Sequence, residues 1–222
     1  MAEPRLSAFQ REILRVLGGM DPKWTLSGGA ALALAYTRDR ETRDLDLFWH
    51  RRVELLTIPQ IVEKRLRDAG LHVSVLQSAP AFCRMIAERG AERVTLDLVG
   101  DRADVVEDPR PFDLDGVEIE IDAEHEILVN KLCALLGRAE ARDLRDVDAL
   151  LHRGGDLRRA LADAPRKDGG FSPLTLTWVL QGLEFAAMPE EMAGPSASGE
   201  PLNRLRDRLV QTILEYAKPD GA

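Results

Sequence analysis

The residues of this chain whose types and spacing could do chemistry begin at Ser27-Gly28-Gly29. This triplet stands between a short apolar stretch, Trp24 to Leu26, and Ala30 to Tyr36 (AALALAY), a run rich in strong helix formers. A strand, a glycine turn and a helix let the backbone bend sharply and let another molecule come close to it. The free N–H groups at the start of that helix favour an anion such as a phosphate. Next comes Arg43 to Phe48 (RDLDLF), whose alternation predicts a strand. Asp44 and Asp46 then share one face, with Leu45 and Leu47 on the other. Adjacent carboxylates repel unless something neutralises them. A hard divalent cation with oxygen ligands does so, and Mg²⁺ is the usual one beside phosphates. Gly-Gly before a helix is most often just a turn, and Asp-x-Asp most often a solvated strand face. Their order here, with one helix between them, points to a metal–nucleotide site.

Four further residues extend this set. Asp97 lies in the middle of an apolar strand, VTLDLV, where a charge is costly unless it is paired with an arginine or bound to a metal. It is expected as a third site carboxylate, making the metal set Asp44, Asp46 and Asp97. Three carboxylates on neighbouring strands would suit two divalent ions. Lys131 lies on a predicted helix from Asp122 to Gly137. Asp143 and Asp146 follow on the next helix, three apart and so on one flank.

The elements that must position these residues come in a definite order. Residues 5–18 form an amphipathic helix through Leu6, Phe9, Ile13, Leu14 and Leu17. The polar connection 37–42 (TRDRET) is expected to be exposed. A helix entered through Pro59 ends at Gly70, and Leu71 to Leu76 is a strand. Phe82–Ala87 and Arg93–Val99 flank ERGAE as a β-hairpin. Asp113 to Gly116 is a turn before the alternating strand Val117–Ile121, and Asp122 caps the next helix. The remainder is all helix, except for a mobile linker near residues 188–201. Strands and helices do not alternate regularly, which excludes a doubly wound parallel sheet. The expected fold is α+β, with a small mixed sheet backed by helices over residues 1–121 and a helical part over 122–222 that contributes to the site.

The composition limits the function classes. The 222 residues are 45% hydrophobic and 31% charged, ordinary for a globular protein with a sizeable core. The net charge of −8 argues against broad nonspecific nucleic-acid binding. Local arginines (Arg38, Arg40, Arg43, Arg51, Arg52) cluster around the acidic strand. No apolar run is long enough to cross a bilayer, and the first residues are unlike a signal peptide, so a cytoplasmic location is expected. Cys83 and Cys133 lack ligand spacing, and His50, His72, His125 and His152 are expected to be surface or packing residues.

The stretch SGGAALALAYTRDRETRDLDLFW resembles the signature of the AbiEii-type nucleotidyltransferases, within the DNA polymerase β-like superfamily. Arg40, Thr42, Asp44 and Asp46 match that family's Asp-bearing strand. EHEILVNKLCALLGRAEARDLRDVDALL resembles its second block, with Lys131, Arg138, Arg142, Asp143 and Asp146 in place. The resemblance covers residues 20 to about 152. It implies a polymerase β-like core in which Ser27, Gly28 and Gly29 hold the nucleotide phosphates and Asp44 and Asp46 bind Mg²⁺, with Asp97 as the third acid. It further implies that Lys131 neutralises phosphate charge and that Asp143, or Asp146 instead, orients Lys131 or an acceptor group. NTP would be the substrate, the acceptor would be RNA or a tRNA end, and an antitoxin protein would be a partner. The alternatives are an aminoglycoside-like small-molecule nucleotidyltransferase and a nucleotide-binding regulatory module without turnover.

Overall fold

In the computed structural model, which describes residues 6–37, 42–183 and 201–217, the chain divides into two units, Met1–Ala123 and Glu124–Ala222. The expected linker near 188–201 falls outside the described residues except for Pro201. Arg38 and Arg40, with most of the 37–42 connection, fall outside them too.

The first unit opens with helix α1, Ala8–Leu17. Ser7 and Gln10 cap each other's backbone N–H groups there in a reciprocal box. The strands are β1 (Thr25–Ser27), β2 (Asp44–His50), β3 (His72–Ala79), β4 (Phe82–Arg89), β5 (Glu92–Asp101), β6 (Arg110–Leu114) and β7 (Val117–Ile121). They form one seven-stranded mixed sheet in the order β3-β4-β5-β2-β1-β7-β6. β2 runs parallel to β5 and antiparallel to β1, while β1 runs parallel to β7. Alternate residues Leu45, Leu47 and Trp49 of β2, Leu96 and Leu98 of β5, and Cys83, Met85 and Ala87 of β4 are buried. On that side α1 and α3 (Ile58–Asp68) pack together and against the sheet. Trp24 and Trp49, both buried, donate their indole N–H groups to the carbonyls of Leu17 and Pro22.

Two local features differ from expectation. The helix after the glycine turn begins at Gly28 (α2, Gly28–Ala31) and widens into a π-helical segment, Leu32–Tyr36. The wide turn is fixed because the Thr37 backbone N–H and hydroxyl both donate to the Leu32 carbonyl, five residues back. The turn expected over Asp113 to Gly116 narrows to Asp115-Gly116, because residues 110–114 form strand β6. Pro111 hides this strand from pattern reading, and β6 tolerates it because it lies at the edge of the sheet.

The second unit is helical: α4 (Glu124–Gly137), α5 (Ala141–His152), α6 (Leu157–Lys167), α7 (Pro173–Gln181) and α8 (Leu202–Ala217). α4 packs on α5, α6 and α7, and α8 packs on α5 and α7. Asp156 and Ser172 cap α6 and α7 through their side chains. Glu126 and Lys167, both with buried side chains, form an ion pair between α4 and α6. Among the described residues, no helix is long and apolar enough to cross a membrane.

Candidate active site

Strand register places the acids. Ser27 on β1 is opposite Asp46 on β2, Asp46 is opposite Asp97 on β5, and Asp97 is opposite Arg84 on β4. These four side chains therefore form a row across four strands, on the face away from the buried leucines. Asp44 lies on the same face, opposite Thr95. Asp44 and Asp46 are both partly exposed, in strict alternation with buried Leu45 and Leu47.

The glycine turn meets this row directly. Gly28 has φ +59°, in the left-handed region, and a Cβ built there would lie 2.3 Å from Oδ2 of Asp46. A side chain at Gly28 would thus strain the backbone and occupy the place of the carboxylate. Ser27 is buried in an extended conformation and its hydroxyl does not cap the helix. The diglycine turn and the acidic strand are therefore one site, built from the end of β1, the start of α2 and the middle of β2.

Asp97 joins the row in a different state from Asp44 and Asp46. Arg84 donates Nε to one of its oxygens at 2.7 Å and Nη2 to the other at 2.6 Å. Of the two alternatives open at this position, the structure shows the arginine pair. Among the described residues, no three His, Cys, Asp or Glu side chains are gathered to share one metal ion. The expected three-carboxylate set of Asp44, Asp46 and Asp97 is thus not preassembled, because the Arg84 fork spans both Asp97 oxygens. Asp44 and Asp46 fit a divalent cation by donor chemistry, and the missing Cβ at Gly28 leaves Asp46 room beside the turn.

His50, expected to be a surface or packing residue, lies between two carboxylates. Its Nε2 is 3.0 Å from Asp122 Oδ1 and its Nδ1 is 3.3 Å from Asp101 Oδ2. Burial pushes the imidazole down, but hydrogen bonds to Asp101 and Asp122 and their charges outweigh it, raising the pKa to about 9. Asp122, expected as a helix cap, instead ties three elements of the site together. Its N–H donates to the Leu26 carbonyl, its own carbonyl accepts from the Tyr36 hydroxyl, and its carboxylate holds His50. Neither contact could be read locally, since Asp101 and Asp122 lie 51 and 72 residues from His50.

In the helical unit, Lys131 of α4 is buried, with Nζ 2.8 Å from Asp143 Oδ1 and 2.7 Å from Asp146 Oδ2 on α5. Arg138 adds a second cation, donating Nε to Asp143 at 2.8 Å and Nη2 at 3.0 Å. Burial pushes the Asp143 carboxyl up, but the Arg138 hydrogen bonds and the Lys131 charge outweigh it and hold the pKa below the usual range. Both aspartates expected near Lys131 therefore touch it.

A mixed sheet carrying an acid pair against a glycine turn, followed by a helical part, is the arrangement of a nucleotidyltransferase-like fold. The chain belongs to the AbiEii family of nucleotidyltransferase toxins of type IV toxin–antitoxin systems, whose model matches residues 12–215. Two solved structures from Helicobacter pylori share the fold. One, solved as a candidate nucleotidyltransferase, is 21% identical, with a TM-score of 0.54 over 95% of this chain and 96% of that one. The other, JHP933, is 23% identical, with a TM-score of 0.54 over 93% of this chain and 88% of that one. No curated protein matches the sequence.

Proposed function

We propose that this protein is a divalent-metal-dependent nucleotidyltransferase that moves a nucleoside monophosphate from NTP to an acceptor hydroxyl. The observation that carries this reading is the contact between Gly28 and Asp46, which puts a phosphate-type turn and a cation-type acid pair in one place. Asp44 and Asp46 would hold Mg²⁺. When bound, the ion supplies charge neutralisation of the triphosphate and activation of the attacking oxygen.

The chain's own residues do the rest. The turn Ser27-Gly28-Gly29 brings backbone N–H groups to the phosphates. Lys131, aimed by Asp143 and Asp146, provides a compact positive charge for the phosphoryl group. The acceptor oxygen attacks the α-phosphorus as the bond to pyrophosphate breaks, so catalysis is mainly positioning and charge stabilisation. Asp97 accepts the hydroxyl proton once Arg84 has released it. The acceptor we favour is RNA, including a tRNA end, in a toxin controlled by an antitoxin protein in the cytoplasm.

The test is incubation with each α-labelled NTP and Mg²⁺ in the presence of RNA, protein and small-molecule fractions. Label should enter the RNA fraction and pyrophosphate should be released. Asp44→Ala and Asp46→Ala should each lower transfer at least about 100-fold while keeping the wild-type circular dichroism spectrum. Label in the small-molecule fraction would transfer the reading to an antibiotic-type acceptor. Nucleotide binding without pyrophosphate release would mark a regulatory module.

A further inference from the structure

The reaction just described has no use for Arg84 where it stands, since it occupies a carboxylate that the chemistry requires. The pair is unequal. The Asp97 side chain is 12% exposed and rooted in the sheet, whereas Arg84 is 45% exposed on a long flexible stem. The guanidinium grips both oxygens of Asp97, which stands opposite Asp46, with Asp44 on the same face of the sheet. It therefore senses all three acids of the row. Its Cζ also lies 5.7 Å from the centroid of the Phe82 ring, two residues along the same face of β4. The guanidinium thus lies over that ring while it grips Asp97, so the ring and the carboxylate hold it together.

We propose that Arg84 is a built-in counter-ion of the acidic row that competes with the divalent cation, so that cation binding depends on nucleotide binding. Two positive charges near one set of carboxylates repel, and a cation arriving alone must weaken the Arg84–Asp97 fork. A triphosphate arriving with the cation gives the guanidinium a new anionic partner, and the displacement costs less. Arg84 is on this account a positioning residue. In the empty site it neutralises Asp97, and it releases that carboxylate only when the full substrate is present. The inference rests on the assignment of Asp44 and Asp46 as cation ligands.

The experiment measures Mn²⁺ affinity on the full chain by electron paramagnetic resonance, with and without a non-hydrolysable NTP analogue. Wild-type protein should bind Mn²⁺ weakly alone and more tightly with the analogue. Arg84→Met should bind bare Mn²⁺ about 3- to 10-fold more tightly, with the gain from the analogue reduced by the same factor. Arg84→Lys keeps the charge without the fork and should lie between the two. Thermal melts of both variants establish that the readings come from folded protein, and Arg84→Lys carries the test if Arg84→Met fails to fold. Unchanged or weaker bare-ion affinity in the folded variant overturns the proposal. Asp46→Asn separates the two readings. If it binds Mn²⁺ as the wild type does, the cation site itself is misassigned. If it loses Mn²⁺ while the Arg84 variants match wild type, only the competition is refuted.

Discussion

The two units hold opposite electrostatic designs. In the helical unit a buried cation, Lys131, is enclosed by Asp143 and Asp146, and Asp143 is gripped again by Arg138. In the sheet unit the acids Asp44 and Asp46 are partly exposed, and the guanidinium that senses them and grips Asp97 is itself 45% exposed. The first cluster pairs its buried cation with two carboxylates inside the helical unit. The second is open to charge from outside. A buried, paired network is costly to break, while a partly exposed acidic row costs some stability to keep.

The largest effect should therefore come from the closed cluster. Lys131→Met leaves two buried aspartates without their shared cation, and removing one partner of a buried pair costs about 3–5 kcal/mol. Urea unfolding should show that loss, together with loss of nucleotide transfer. A drop below about 1 kcal/mol would mean that the cluster is not a stabilising network and would undo the contrast between the units.

His50 extends the comparison, as another cation held by carboxylates in the sheet unit. Its folded pKa of about 9 is raised above the ordinary 6.5. The stabilisation is therefore fully present below about pH 6.5, falls as pH rises from there to about 9, and is absent above. Its side chain is 10% exposed, so the effect should reach about 1–3 kcal/mol. The melting temperature of the wild type should fall across that window, and His50→Gln should flatten the profile. An equal slope in both proteins would show that His50 does not hold β2 to Asp101 and Asp122.

What could be read from the sequence follows the range of each interaction. The diglycine turn and the Asp-bearing strand are local patterns and were legible, whereas the orientation of Lys131 by Asp143 or Asp146, residues on the next helix, followed only from the family resemblance. The hairpin was legible too, but its register depends on the loop length, which ERGAE leaves open. A two-residue loop at Gly90-Ala91 pairs Arg89 with Glu92, so Arg84, five residues back, must oppose Asp97, five residues on. Fixing that turn would have revealed the arginine on the acidic row. The His50 contacts had no such signal, because they depend on where β5 and β7 end relative to β2, and only the closed sheet determines that.

The smallest effect is the one that best sharpens the contrast. Asp44 lies on the open row with Asp46, and both charges act on Arg84. Asp44→Asn removes one like charge from the row and keeps the shape of the side chain. Repulsion among the carboxylates falls, while Arg84 keeps both of its hydrogen bonds to Asp97. Unfolding free energy should then stay within about 0.5 kcal/mol of wild type or rise slightly, even though transfer is lost. A loss above about 2 kcal/mol would show that Asp44 is part of the structural framework, as Lys131 is, and the distinction between a closed cluster and an open one would no longer separate the two units.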